Sequence, residues 1–310
     1  MPASTDRVTG PTTTEPVEPV VVTPTLLREW GLPGPGESKY DRGQVVVVGG
    51  DRRSPGAALL AAEASLRVGA GRLTVALAES VAVSASVALP ESGVVALRET
   101  PEGHIDGTAI GLAADDLADA DAVLVGPGLD DADQARRMLD LLPELVAPHA
   151  VVLLDAYALG VLPGSAAREA FTGRLVLTPN PGEAARLLEA VDGAEGIGDG
   201  DDADVDLVAR TLAAAYRAVV SCQGRVAHPD GRLWRIGTGH GGLGTSGSGD
   251  VLAGAIAGLS ARGASPEQAA VWATHAHAAA GDRLAVSVGP LGFLARELLA
   301  ELPRVFVEVG

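Results

Sequence analysis

Lysine occurs once in this chain of 310 residues, as Lys39, and every other basic side chain is an arginine. Basic side chains number 23 against 40 acidic ones, giving a formal net charge of −17. That balance excludes the clustered positive charge that nucleic acid or an anionic membrane requires, so neither is an expected partner. A bound phosphate must be held instead by backbone amides, a metal ion or a few placed cations. Cysteine also occurs once, as Cys222. No internal disulfide can form, and a reducing cytoplasm is the expected compartment. No uninterrupted apolar run reaches the roughly 18 residues of a membrane span, and no apolar stretch of signal-peptide length follows a basic segment. Histidines are scattered: His275 and His277 stand two apart in a helical stretch and face different directions, which excludes a shared metal. A structural zinc is therefore not expected. A G-x-G-x-x-G dinucleotide turn is missing as well.

What is present is apolar and glycine-punctuated. A hydrophobic content of 47% supports a sizeable core. Residues 1 to about 22 carry Thr, Pro, Glu and Val without periodicity and are read as a disordered tail, with a single domain over 24–310. From Gln44 onward, β-branched runs alternate with Ala- and Leu-rich helical stretches. The runs are 45–48, 73–77, 122–125, 151–154, 175–177 and 219–220. They are apolar at successive positions, which suits strands covered on both faces, so the fold class is α/β with a mostly parallel central sheet and helices on both faces. The Asp- and Gly-rich segment 192–206 reads as a solvated loop before a helix near Val205 to Tyr216. A hairpin is expected over Arg225 to Arg235, and Ser265-Pro266-Glu267-Gln268 has the form of a capping box.

The stretch from Gly239 to Asp250 stacks glycines directly before the apolar run Val251 to Leu259. Such a loop opening a helix aims several N–H groups and the positive end of the helix dipole at one spot, which is a phosphate site. A carboxylate there is repelled by phosphate unless a cation or a proton transfer uses it, so Asp250 reads as a catalytic base. The alternative is a flexible glycine linker in which Asp250 only caps the helix. Four more turns carry small or polar residues at strand ends: Gly49-Gly50 with Pro55 to Ala58, Gly126-Pro127-Gly128, Asp155, and Thr178 to Glu183. Asp155 either serves the site or caps the next helix. In a parallel sheet these turns converge on the rim where open α/β folds bind ligands.

Taken in order, these motifs resemble the ADP/ATP-dependent NAD(P)H-hydrate dehydratases of the ribokinase-like superfamily. The similarity runs from about Thr25 to Pro303 and includes Lys39 with Gly43, Pro55 to Ala58, Gly69 to Gly71, Gly126 to Gly128, the Leu-Asp-Ala run at Asp155, Thr178 to Glu183, Gly244 to Asp250, and Gly289 to Gly292. The resemblance implies a lyase that removes water from the S epimer of NADHX or NADPHX, with ADP or ATP as co-substrate. Asp250 would take the hydroxyl proton during phosphoryl transfer. Ala58, Gly128, Asn180 and Asp250 would line the hydrate pocket, Gly247, Ser248 and Gly249 would bind the nucleotide, and Glu183 of Asn180-x-x-Glu183 would organise Mg²⁺. A homo-oligomer is expected on the same grounds. The sequence departs from the family at three places. Asn180 replaces the usual His, Tyr157 replaces the second Asp of the D-A-D-A-L run, and Ser221 to Arg225 replaces the K-G-x-x-T turn without its Lys. Arg225 is the only cation of that turn; either it takes over a nucleotide contact or it is an exposed strand arginine facing solvent. The competing readings are a ribokinase-like kinase of a vitamin precursor and a nucleotide-binding regulator without catalysis.

Overall fold

The apolar runs form the centre of a ten-stranded sheet in the computed structural model, which describes Val8 and residues 17–198, 204–239 and 241–310. The strands are β1 (Val20–Val22), β2 (Gln44–Val48), β3 (Arg72–Ala78), β4 (Gly93–Leu97), β5 (Ala122–Val125), β6 (Val151–Leu154), β7 (Leu175–Leu177), β8 (Val219–Cys222), β9 (Arg225–Ala227) and β10 (Leu233–Ile236). Their spatial order is β1-β10-β9-β8-β7-β6-β5-β2-β3-β4. From β4 across to β8 all pairings are parallel; β9 runs antiparallel to both β8 and β10, as the expected hairpin requires, and β1 closes the edge parallel to β10.

The first half of the chain supplies helices α1 (Pro24–Trp30), α2 (Pro55–Arg67), α3 (Glu79–Ala88), α4 (Ala114–Ala118), α5 (Ala132–Leu145) and α6 (Tyr157–Val161). The second half supplies α7 (Ala167–Ala170), α8 (Pro181–Glu189), α9 (Val205–Tyr216), α10 (Ser248–Ala261), α11 (Pro266–Ser287) and α12 (Ala295–Val309). The pleat sends alternate side chains to opposite layers. Val45 and Val47 enter a core shared with α2, α10, α11 and α12, whereas Val46 and Val48 enter one shared with α5, α6, α8 and α9. Both faces are covered, which is why β2 reads as an unbroken valine run.

Two expectations change. Val20–Val22 was assigned to the tail but forms the edge strand β1, and Val8 bridges Val191 and is buried, so parts of the first 23 residues pack on the domain. The other residues of 1–16, residues 199–203 of the acidic loop, and His240 lie outside the described residues. Only half of the capping box at Ser265 forms: its hydroxyl accepts from the Gln268 amide, but the Gln268 side chain donates to the Trp30 and Gly31 carbonyls instead.

Candidate active site

The last residues of four strands fall in one row, because Val48 is in register with Val125, Val125 with Leu154, and Leu154 with Leu177. The turns that follow are pressed together along the carboxyl rim. The Gly50 amide donates to the Pro127 carbonyl at 2.8 Å and the Asp51 amide to Gly128 at 2.9 Å. A Cβ on Gly128, whose φ is +75°, would lie 2.3 Å from the Ser54 carbonyl oxygen. Only glycine fits that approach and that conformation. Ala58 is wholly buried, its methyl facing Gly50. It shapes this floor from beneath rather than offering exposed surface.

Helix α10 stands over the row. It packs against α2 in close main-chain contact at two glycines: Cβ atoms at Gly254 and Gly258 would meet the Ala61 and Ser65 carbonyl oxygens at 2.0 and 2.4 Å. The contacts 254 with 61 and 258 with 65 run in the same direction, so the helices are parallel and both N-termini reach the rim. Gly247 has φ +88°, and Gly249 is exposed with open space where a Cβ would stand. Two residues of α11 hold the approach: Asp282 accepts from the Gly239 amide at 3.0 Å, and His277 meets Ser248. His277 Nε2 lies 3.0 Å from the Ser248 carbonyl and 2.9 Å from its hydroxyl. Burial pushes this imidazole down to about 4, so it is neutral, and a proton on Nε2 lets it donate to Ser248. The Ser248 hydroxyl is thereby engaged, and its main-chain amide donates to the Thr245 carbonyl at 3.2 Å.

Asp250 occupies the first turn of α10 and makes no hydrogen bond to another described residue. Burial, with the charge of Glu183 nearby, pushes its carboxyl up to about 6. Asp155 is nearly inaccessible and goes up to about 7, through burial first and then the charge of Asp250, against a 2.7 Å hydrogen bond from Thr178 that works the other way. The following residue, Ala156, has φ 49° and ψ −122°, a conformation glycine favours. Strain of this kind concentrates at functional sites. Sequence reasoning left Asp155 between site and cap; its hydrogen bond from Thr178 and its coupling to Asp250 assign it to the acidic set. Asn180 and Glu183 form a reciprocal capping box at α8, each side chain accepting the other's amide at 2.9 Å. The pattern read as a magnesium organiser therefore also starts a helix.

Arg225 is engaged in an ion pair. Its Nε donates to Asp206 at 2.7 Å, and Asp206 also pairs with Arg235. Burial alone would raise the Asp206 carboxyl, but the two arginines lower it overall. The guanidinium thus braces α9 against the hairpin rather than standing unpaired at the rim. Lys39 precedes β2, at the opposite end of the strands from the rim, and its ammonium lies over the Tyr40 ring at 5.3 Å.

The comparisons with known proteins agree with one another. A family model described as NAD(P)H-hydrate dehydratase matches residues 45–304. The ADP-dependent (S)-NAD(P)H-hydrate dehydratase of Xanthomonas campestris is 41% identical over 293 residues, covering 92% of this chain and 95% of that protein. A bifunctional NAD(P)H-hydrate repair enzyme of Moorella thermoacetica is 37% identical over 85% of this chain, which spans 49% of its length. Among solved structures, the ADP/ATP-dependent NAD(P)H-hydrate dehydratase of Bacillus subtilis, co-crystallised with ATP and Mg²⁺, superposes with a TM-score of 0.74 at 27% identity, covering 95% of this chain and all of that one. With its ribokinase-like sheet and a glycine-led helix N-terminus carrying Asp250, this chain belongs to the NAD(P)H-hydrate dehydratase family.

Proposed function

We propose that the protein dehydrates (S)-NAD(P)H-hydrate to NAD(P)H, converting ADP or ATP to AMP or ADP and inorganic phosphate. The observation that carries this reading is Asp250: an unbonded carboxylate, pushed up to about 6 by burial, in the first turn of a helix that opens on Gly247, Ser248 and Gly249. The hydrate's ring hydroxyl is a poor leaving group. Its oxygen attacks the terminal phosphorus of the nucleotide while Asp250 takes the hydroxyl proton, and the P–O bond to the departing nucleotide breaks. The amides of Gly247 and Gly249, on either side of Ser248, stabilise charge on the moving phosphoryl group. Elimination then removes phosphate with the C–O bonding pair, and a proton from the neighbouring ring carbon, restoring the double bond. Gly128 and Asn180 line the hydrate side, and Ala58 supports it from below.

The acidic set fits Mg²⁺. Among the described residues no Lys or Arg forms an ion pair with Asp155, Glu183 or Asp250, and an all-oxygen donor set suits a hard dication. Glu183 would organise the ion, which when bound supplies positive charge to the transferring phosphoryl group. A homo-oligomer belongs to the same reading, supported by Val83 and Val87, exposed one turn apart on α3 beside an apolar groove of about 630 Å³. A cytoplasmic location is supported by the single buried thiol of Cys222. No described helix is long and apolar enough to cross a membrane.

The decisive experiment incubates purified protein with NADHX and ADP or ATP, following NADH absorbance and inorganic phosphate together. NADH and phosphate appearing in equal amounts support the dehydratase. A phosphorylated product without NADH establishes a kinase instead, and nucleotide binding without turnover establishes a regulator.

A further inference from the structure

We propose that Asp51, His104 and Asp130 form a binding site for a transition-metal dication, Mn²⁺ or Zn²⁺, separate from the acidic set around Asp250. The three residues come from three different turns: the one after β2, the loop after β4, and the one after β5. One ligand atom from each lies within 4.8 Å of the others. His104 Nδ1 is 3.3 Å from Asp51 Oδ2 and is also hydrogen-bonded to Asp130 Oδ1.

Two further observations point to a cation. The first is organisation from behind: Asp51 is only 2% exposed, its Oδ1 accepts the Ile105 amide at 2.7 Å and its Oδ2 the Asp130 amide at 3.0 Å. Main-chain donors of this kind fix a carboxylate as outer-shell partners fix metal ligands. The second is a charge deficit. Among the described residues neither Asp51 nor Asp130 forms an ion pair with Arg or Lys, and the adjacent Arg52 pairs with Glu99 at 3.0 Å. Two carboxylates, one of them deeply buried, face a single imidazole. A proton on His104 offsets one charge; a dication offsets both and leaves the imidazole neutral, as a ligand must be. The strain of this deficit shows in Asp51, whose carboxyl is pushed up to about 6 by burial and by Asp130 beside it.

The donor set selects the metal class. One imidazole nitrogen with two carboxylate oxygens suits Mn²⁺ or Zn²⁺, whereas Mg²⁺ and Ca²⁺ take oxygen ligands. Three protein ligands leave coordination positions open to water. The Asp51 amide also donates to the Gly128 carbonyl at 2.9 Å, so an ion here braces the turn on the hydrate side of the rim.

The test needs no turnover. Full-length protein stripped with chelator is titrated with MnCl₂ in the absence of nucleotide, and the bound ion is examined by electron spin-echo spectroscopy. The expected result is one micromolar Mn²⁺ per chain showing modulation from a directly bound nitrogen, which the histidine-free acidic set cannot supply. His104→Gln should abolish the nitrogen signal, and both His104→Gln and Asp130→Asn should weaken that binding by about 10- to 100-fold. Circular dichroism on each variant identifies a folding failure, and a fold lost in one variant leaves the other to decide. Absence of nitrogen-ligated Mn²⁺ at millimolar concentration, or a nitrogen signal that survives His104→Gln, overturns the site and leaves a protonated His104 bridging two aspartates. Neither result depends on whether the protein dehydrates NADHX.

Discussion

Asp250 and Asp155 divide the site's proton chemistry by their surroundings. Their carboxyls lie at about 6 and about 7, so Asp250 loses its proton first and, in the proposed reaction, is the base at neutral pH. kcat/KM should therefore fall on the acid side with an apparent midpoint near 6; a flat profile down to pH 5 removes Asp250 as the base. Asp250→Asn keeps the shape and should lower kcat by about 10²- to 10⁴-fold with unchanged circular dichroism. The same shifts set a stability trend. Both carboxyls sit above the ordinary value of 3.8, so between pH 4 and 7 the folded chain binds more protons than the unfolded one, and stability declines as pH rises. Asp155→Asn, which removes the buried charge and keeps an acceptor for Thr178, should raise the melting temperature at pH 8 and leave it little changed at pH 4. An unchanged melting temperature at pH 8 argues against a buried anionic Asp155. Asp250 was legible because it ends a glycine-rich run. Asp155 was half legible, since its depth and its coupling to Asp250 depend on strands far apart in the chain. His277 carried no signal at all, because only the fold brings α11 to Ser248.

Among the elements, the sequence announces those that are covered on both faces. The valine run of β2 is buried at every position, and β5, β6 and β7 follow the same rule. The two missed strands are the sheet's edges: β1 exposes two of its three residues, and β4 is buried only at Leu97. An edge strand lacks the two-sided burial that makes a continuous apolar run, so its signal is weak. The partner of Arg225 was hidden for a related reason, since Asp206 lies on α9, 19 residues earlier. Arg225→Ala should lower the melting temperature while changing the nucleotide Michaelis constant less than about twofold, as loss of a partly exposed pair on a brace predicts. A many-fold rise in that constant without loss of stability would return Arg225 to the nucleotide. The α2–α10 contact is more demanding. Gly258→Ala places a methyl 2.4 Å from the Ser65 carbonyl oxygen, and such overpacking costs about 1–3 kcal/mol. Thermal denaturation should show the loss, and a variant as stable as the parent shows that the helices part freely.

For the whole molecule, a net charge of −17 opposes an anionic co-substrate before any contact forms. Raising monovalent salt screens that repulsion, so nucleotide kcat/KM should increase between low and physiological ionic strength. A decrease over the same range indicates a local positive field that outweighs the total. The fold class was legible from the alternation of runs and helices, because that pattern follows from covering a parallel sheet twice. The grouping of Asp51, His104 and Asp130 was not, since residues separated by 53 and 26 positions share no local period. The parallel packing of α2 and α10 bears on ligand binding in another way. Helix α2 starts at the turn proposed to floor the hydrate side, and α10 starts where the phosphoryl group would sit. Where main chain rests on main chain, at Gly254 against Ala61 and at Gly258 against Ser65, a side chain has little room to let one helix slide against the other. In the proposed reaction, the gap between donor and acceptor oxygen would be ruled like the opening of a locked caliper. Its setting lies at Gly254 and Gly258, one and two turns below Asp250, in residues that touch neither ligand.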